Sequence, residues 1–186
     1  MTAAPTLVTE RLKLTAHRAD DLEALTAMWA DPAVYAMISG QARSREDVWL
    51  RLLRSIGQWA LLGYGAWIVR DRFTGTLLGD VGLIEAKRAI EPPLTTPETG
   101  WALIPAAHGR GLATEAMTAV LGWADAHGIE ATCCIIDPAN LPSIRLAERL
   151  GYRSDRDALY RDQPAVVFAR GSQQKPAGCL LKEQEG

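Results

Sequence analysis

The sequence predicts a mixed α/β (α+β) protein with a twisted, mostly antiparallel sheet of about seven strands and about four flanking helices. Strand-like segments over residues 66–70, 76–84 and 98–104 follow one another without an intervening helix, which favours antiparallel neighbours. After 98–104 the pattern changes to a helix and then an apolar strand over 131–136. A strand–helix–strand crossover of this kind is typical of a parallel pair.

The chain has 186 residues and a net charge of −2, enough for one domain over 1–170, followed by a polar tail over 171–186 that we expect to be flexible. A near-neutral charge does not favour a nucleic-acid partner, and no apolar run is long enough to span a membrane. Cys133, Cys134 and Cys179 form neither a disulfide framework nor a metal-ligand pattern. We therefore expect no metal site and a reducing, cytoplasmic setting.

The first half of the chain opens with an alternating segment over residues 7–14 that predicts one strand. A helix follows and ends at Asp31-Pro32, because the residue before a proline leaves the helical conformation. Ser44, with Asp47 three positions later, predicts the capped start of a second helix.

In the second half, a helix after the strand over 98–104 ends at Gly128, a common helix C-terminal residue. Asn140 opens another helix that Gly151 ends. The segments 152–156 and 165–169 then predict a final hairpin.

One loop joins the strand over 98–104 to its helix and reads His108-Gly109-Arg110-Gly111-Leu112-Ala113. Free amides and the positive end of the helix dipole make such a loop an anion site, although the glycines alone slightly favour a tight connection that binds nothing. The nucleotidase phosphate loop needs Lys-Ser/Thr after its last glycine, and Leu112-Ala113 exclude it. The dinucleotide pattern is nearly met, with Thr114 in place of the third glycine, but this loop lies too late in the chain for it.

Together with other segments, this loop resembles the GNAT acetyltransferase superfamily, and in particular the branch that resembles ribosomal-protein alanine N-acetyltransferases. The resemblance spans roughly residues 9–170. The segments that carry it, besides the loop, are Thr9-Glu10-Arg11-Leu12, Gly79-Asp80-Val81-Gly82-Leu83, Glu98-Thr99-Gly100-Trp101, Thr114-Glu115-Ala116, Asn140-x-x-Ser143 and Leu150-Gly151-Tyr152.

The resemblance implies a sheet splayed at its centre and acetyl coenzyme A as co-substrate. The amides of His108, Gly109, Arg110, Gly111, Leu112, Ala113 and Thr114 would hold its pyrophosphate, with His108 in the place of the family's Gln or Arg. The strand edge at Leu103 and Ile104 would pair with the pantetheine arm. Asn140 would bind the same arm, unless it only caps its helix.

The implied reaction is direct attack of an amine on the thioester in a ternary complex. Glu98 would be the base, directly or through water, unless it is a solvated carboxylate at a strand end. Many family members use a tyrosine as proton donor to the thiolate where this chain has Ala147. Ser143 would replace it and touch the coenzyme, unless it only bonds the helix backbone.

The acceptor would be a primary amine, with the N-terminus of a protein or peptide suggested by the branch and a small amine or antibiotic left open. Glu85, Glu91 and Glu98 would make the acceptor side mildly acidic. Two other classes stay open, a non-catalytic acyl-CoA-binding module and a dinucleotide-binding oxidoreductase. No nucleic-acid or membrane partner is expected, and a homodimer is compatible with the sequence.

Overall fold

The computed structural model describes residues 3–171, so the expected tail, with Cys179, lies outside the described part of the chain. One sheet of eight strands runs in the order β1-β2-β3-β4-β5-β6-β8-β7. The strands are β1 (Leu7–Val8), β2 (Leu12–Thr15), β3 (Ala66–Asp71), β4 (Leu77–Ile84), β5 (Glu98–Leu103), β6 (Thr132–Ile136), β7 (Arg153–Tyr160) and β8 (Gln163–Arg170).

Five α-helices flank this sheet, together with two short 3₁₀ turns. They are α1 (Leu22–Ala30), α2 (Pro32–Tyr35), α3 (Arg45–Leu62), α4 (Leu112–Ala126) and α5 (Leu141–Arg149). The predicted mixed class is confirmed: every neighbouring pair is antiparallel except β5 and β6, which α4 connects in parallel. No helix within residues 3–171 is long and apolar enough to cross a membrane.

The predicted first strand is wrong in its extent, because the chain reverses between Val8 and Leu12. Two short strands result, and they pair antiparallel with Leu7 opposite Leu14. The helix α2 was also missed, since it is a single turn that begins at Pro32. The Asp31 carboxylate accepts the amide of Ala33 and caps this turn, which follows the preference for a proline in the first turn.

The capping box at the start of α3 is confirmed. The Ser44 hydroxyl oxygen accepts the Asp47 amide at 3.0 Å, and Asp47 accepts the Ser44 amide at 3.2 Å. The final hairpin extends further than predicted, because β7 carries polar residues over most of its length and shows no apolar signal.

The helices lie on both faces of the sheet and define them. The α1/α3 face includes Ile68, Asp80 and Ala102, and the α4/α5 face includes Trp67, Val81 and Leu103. Because strand residues alternate between faces, Glu98 shares the α1/α3 face with Ala102, whereas Trp101 shares the α4/α5 face with Leu103. The two faces therefore carry different candidate site residues.

Candidate active site

The splay predicted at the centre of the sheet is confirmed between β5 and β6. Their one bridge pairs Glu98 with Cys133, and the Cys133 amide donates to the Pro97 carbonyl at 3.0 Å. Beyond this bridge the two strands separate. We call the space between them the wedge, which is closed at Glu98 and open at Leu103.

A buried hydroxyl cluster fixes the closed end of the wedge. The Tyr152 hydroxyl lies 2.9 Å from the Thr99 hydroxyl and 2.7 Å from the Thr132 hydroxyl, so it bridges β5 to β6. Burial, the largest effect, raises the pKa of Tyr152 to about 12, so its proton stays in place at neutral pH. Tyr152 therefore has a structural role that the sequence did not reveal.

The edge of β5 that faces the wedge follows from its pairing with β4. The Ile104 amide donates to the Leu78 carbonyl at 2.9 Å, and hydrogen-bonding groups alternate in direction along an antiparallel strand. The amides of Trp101 and Leu103 therefore point into the wedge. Ile104 was expected, with Leu103, to pair with the pantetheine arm, and this expectation is corrected. Its amide donates to Leu78 and its carbonyl accepts the Ala107 amide, so both of its backbone groups already form hydrogen bonds.

The glycine loop presents its amides in the way an anion site requires. Within residues 3–171, none of the amides of residues 109–114 donates a hydrogen bond. Gly109 and Gly111 have φ of 70° and 76°, a left-handed conformation that favours glycine, and α4 begins directly after Gly111. The loop thus combines free amides with the positive end of a helix dipole.

His108 differs from the role expected for it. Its amide donates to the Pro105 carbonyl at 3.0 Å and is not free for a ligand. Its ring Nε2 lies 2.8 Å from the Leu103 carbonyl oxygen and must carry a hydrogen there, because a carbonyl only accepts. His108 therefore ties the loop to the end of β5, while Gly109 to Thr114 keep the free amides.

Side chains of the N-terminal segment hold the loop from outside, through contacts that sequence spacing did not predict. The Glu115 carboxylate accepts from the Thr9 hydroxyl at 2.5 Å and from the Arg11 side-chain Nε at 2.7 Å. Arg11 also donates to the Arg110 carbonyl at 2.9 Å. Burial alone would raise the pKa of Glu115, but these hydrogen bonds lower it, so the carboxylate stays ionised.

Ser143 lies at the α4/α5 face of the wedge. Its amide donates to the Asn140 side-chain oxygen at 3.2 Å, and its hydroxyl oxygen accepts the Trp101 indole N–H at 3.2 Å. In the described part of the chain the Ser143 hydroxyl has no acceptor for its own proton. Trp101 therefore orients a hydroxyl that can still donate.

Asn140 makes two structural hydrogen bonds. Besides capping α5 through Ser143, its side-chain amide donates to the Met37 carbonyl at 3.3 Å. Asn140 is therefore a cap that also joins α5 to the segment after α2, and any contact with a ligand comes in addition to these bonds.

Glu98 lies on the α1/α3 face at the closed end of the wedge, and it is not a solvated strand-end carboxylate. It is buried, and Arg88 donates to both of its oxygens, at 2.5 and 2.7 Å. The Arg88 pKa is raised: burial would lower it, and the pairing with Glu98 outweighs that effect. Both Glu98 oxygens therefore accept from Arg88, and each has one further acceptor position.

Ala147 explains why the usual tyrosine is missing. It is fully buried among Leu121, Cys134, Tyr152 and other apolar side chains. A tyrosine at this position would have to displace that cluster. Ser143 carries the one hydroxyl side chain of α5.

Known proteins share this architecture. The family description "Acetyltransferase (GNAT) domain" matches residues 11–153. The "Uncharacterized protein YkkB" of Bacillus subtilis (strain 168) is 31% identical over 176 residues, which are 92% of this chain and 99% of that protein. An acetyltransferase structure from Agrobacterium tumefaciens str. C58 superposes with a TM-score of 0.79 at 26% identity, covering 92% of this chain and 97% of that one.

A ribosomal-protein-S5-alanine acetyltransferase structure from Vibrio fischeri shares the fold, with a TM-score of 0.72 at 16% identity over 90% of this chain and 97% of that one. The match of the family description covers more than half of the chain. This family assignment agrees with two features of the structure, the splayed sheet and the free amides at the start of α4. The chain belongs to the GNAT acetyltransferase family and is an acyltransferase.

Proposed function

We propose that the protein transfers an acetyl group from acetyl coenzyme A to the α-amine of a protein or peptide N-terminus. The observation that carries the proposal is the run of free amides over residues 109–114 beside the open edge of β5. The loop suits a pyrophosphate, and the amides of Trp101 and Leu103 suit an extended amide-containing arm laid along the wedge. The acetyl group would then lie between β5 and β6.

The coenzyme would supply an activated acyl group with a thiolate leaving group. Residues of this chain would accept the proton of the amine and donate a hydrogen bond to the leaving sulfur. On the α4/α5 face, Ser143 would donate a hydrogen bond to the departing sulfur, because its oxygen is held by Trp101 and its proton is free. The Leu103 amide would meet the negative charge that develops on the thioester oxygen. Asn140 would bind the arm near Ser143.

On the opposite face, Glu98 would receive the proton of the attacking amine, directly or through water. A carboxylate is a weak base, because the ordinary pKa of a glutamate is about 4.3. Such a base suits an α-amine, whose ordinary pKa is near ~8, better than a lysine, with an ordinary pKa near ~10.4. An N-terminus is therefore favoured over a lysine side chain, in agreement with the branch that the sequence resembles.

A small amine or antibiotic is the second candidate, since an α-amine-like pKa is not unique to peptides. We also propose a single catalytic domain over 1–170 in a reducing, cytoplasmic setting, consistent with the free thiols of Cys133 and Cys134. Homodimerisation stays a proposal that size-exclusion chromatography with light scattering would test.

The test measures thermal stabilisation by acetyl coenzyme A and by a nicotinamide dinucleotide, and then release of free thiol with a panel of amines. We expect stabilisation by acetyl coenzyme A alone, since a ligand of the native state raises its apparent stability. We also expect acetylation of N-terminal peptides above lysine analogues and aminoglycosides. Stabilisation without thiol release from any amine would instead indicate a non-catalytic binding module.

A further inference from the structure

The α1/α3 face of the wedge carries a cluster of arginines, whereas the sequence led us to expect a mildly acidic acceptor side. Two of the three expected acids are neutralised by neighbours: Arg88 binds Glu98, and Lys87 lies 2.7 Å from Glu85. The expectation of an acidic surface is therefore wrong at these positions.

The cluster is built around Trp29, which is buried under α3. The guanidinium carbons of Arg43 and Arg51 lie 5.0 and 4.8 Å from the centre of the Trp29 ring. Arg51 also binds the buried Asp80 carboxylate, with nitrogen–oxygen distances of 3.1 and 3.0 Å. Asp80 lies on β4 opposite Ala102 of β5, so this end of the cluster is one strand away from the wedge.

Arg54 is exposed and lies on α3 between Arg51, which binds Asp80, and Gln58, whose side-chain amide donates to the Leu83 carbonyl at 3.1 Å. It therefore lies beside the part of β4 that runs towards Ile84, the partner of Glu98. Desolvation, and then the charge of Arg51, lower the pKa of Arg54. The pKa of Arg43 is lowered in the same way by desolvation and by the charges of Arg51 and Arg54.

The charge balance of the cluster is positive. The carboxylates near these arginines are Asp47, Asp80 and Glu98, and they face five arginines, Arg43, Arg51, Arg54, Arg88 and Arg161. Neither Arg43 nor Arg54 has a carboxylate within 4.0 Å among residues 3–171, and the buried Nε of Arg43 has no hydrogen-bond partner there. These guanidiniums have donors to spare for an anionic ligand.

We propose that Arg43 and Arg54 recognise a carboxylate placed a few bonds from the amine of the acceptor, so that the preferred acceptors are peptides with an acidic residue next to the N-terminus. The assignment rests on the proposed function. The pyrophosphate expected at the glycine loop is not the anion that these arginines would bind, because the loop lies beyond the far end of β5. The same positive field disfavours a protonated amine, which lessens the demand on Glu98.

The test compares three peptides that share an N-terminal alanine and a neutral tail and differ only in the second residue, Glu, Gln or Lys. We expect kcat/KM for the Glu peptide to exceed that for the Gln peptide at least about tenfold, the effect of one charge-assisted hydrogen bond. The preference should shrink as salt is raised, because ions screen exposed charges. Arg43→Met and Arg54→Gln should each reduce it.

Arg45→Gln is the matched control, since Arg45 lies on α3 but pairs with Glu23, away from the cluster. It should keep the full preference, and acetyl coenzyme A should bind Arg54→Gln as it binds the wild type. Equal kcat/KM for the three peptides overturns the proposal while leaving the acetyltransferase assignment intact.

A binding measurement without turnover separates recognition of the acidic side chain from acetyltransferase activity. The N-acetylated forms of the same peptides are titrated calorimetrically into the enzyme with coenzyme A present. Tighter binding of the Glu product in the wild type, lost in Arg54→Gln, supports the proposal whatever the turnover. Equal binding of the three products overturns it.

Discussion

Arg88 binds both oxygens of Glu98 at the point where β5 and β6 begin to separate. The pair places an oriented carboxylate on one face of the wedge, while the hydroxyl of Ser143 lies on the other face. The proton acceptor and the hydrogen-bond donor that we propose for acyl transfer therefore lie on opposite sides of the sheet.

Glu98→Gln should lower kcat/KM roughly 100-fold near pH 7, the lower range for a positioned base. Without the base, only the neutral amine reacts, so the rate should rise about tenfold per pH unit below the amine pKa near ~8. The measurement is kcat/KM between pH 6.5 and 9.5. A variant with the same pH profile as the wild type would remove Glu98 from the mechanism.

Arg88 supplies the companion variants. Arg88→Met leaves a buried carboxylate without its partner, so we expect a loss of about 3 kcal/mol in unfolding free energy and a lower kcat/KM. Arg88→Lys, which keeps the charge, should lose less of both stability and activity.

Ser143→Ala should lower kcat roughly 100-fold with little change in KM for acetyl coenzyme A, because the hydroxyl acts on the leaving sulfur. Ser143→Thr keeps a hydroxyl and should recover part of the rate. Trp101→Phe removes only the bond that orients Ser143 and should have a smaller effect. Steady-state kinetics with a thiol assay separates these cases, and a Ser143→Ala enzyme with normal kcat would favour the helix-backbone role.

Two glycines in and beside α4 provide a matched pair. Gly111 has φ of 76°, so Gly111→Ala should lose about 1 kcal/mol in unfolding free energy to strain and should weaken acetyl coenzyme A binding. Gly122 lies inside α4, and an added Cβ there meets nothing within 4 Å. Gly122→Ala should therefore gain about 0.5–1 kcal/mol. Urea unfolding and calorimetric titration measure both effects, and unchanged affinity in Gly111→Ala would contradict the assigned loop role.

The Asp80 carboxylate should make the free energy of unfolding depend on pH in the acidic range. Burial by itself would raise the pKa of Asp80, but the charge of Arg51 and the contact with His17 lower it well below its usual range. A depressed folded pKa stabilises the protein fully above the unfolded value of about 4, and this contribution is lost as the pH falls below it.

Urea unfolding of the wild type and of Asp80→Asn from pH 7 to pH 3 measures this contribution. The wild type should lose more stability than the variant below pH 4, because the variant has no carboxylate to protonate at this position. Parallel curves for the two proteins would show that Asp80 does not contribute.

Much of the fold could be predicted from local chemistry. Pro32 ends α1, the Ser44–Asp47 box starts α3, and Gly151 follows α5, because each acts through backbone groups within a few residues. The splay and the anion-binding role of the glycine loop were expected from a resemblance carried by motif order. The second half of β7 (Arg153–Tyr160) escaped prediction, since its polar residues carry no apolar period.

The sequence by itself therefore determined most of the element order, which depends on short-range patterns, and the family, which depends on the order of motifs along the chain. Only the tertiary structure decided which groups are free. The backbone of Ile104 is engaged by Leu78 and Ala107, His108 binds Leu103, and Glu98 binds Arg88 across a proline-rich loop. The arginine cluster likewise joins α3 to residues distant in the chain. Hydrogen bonds and charge pairs of this kind depend on distances in space, which sequence spacing does not fix.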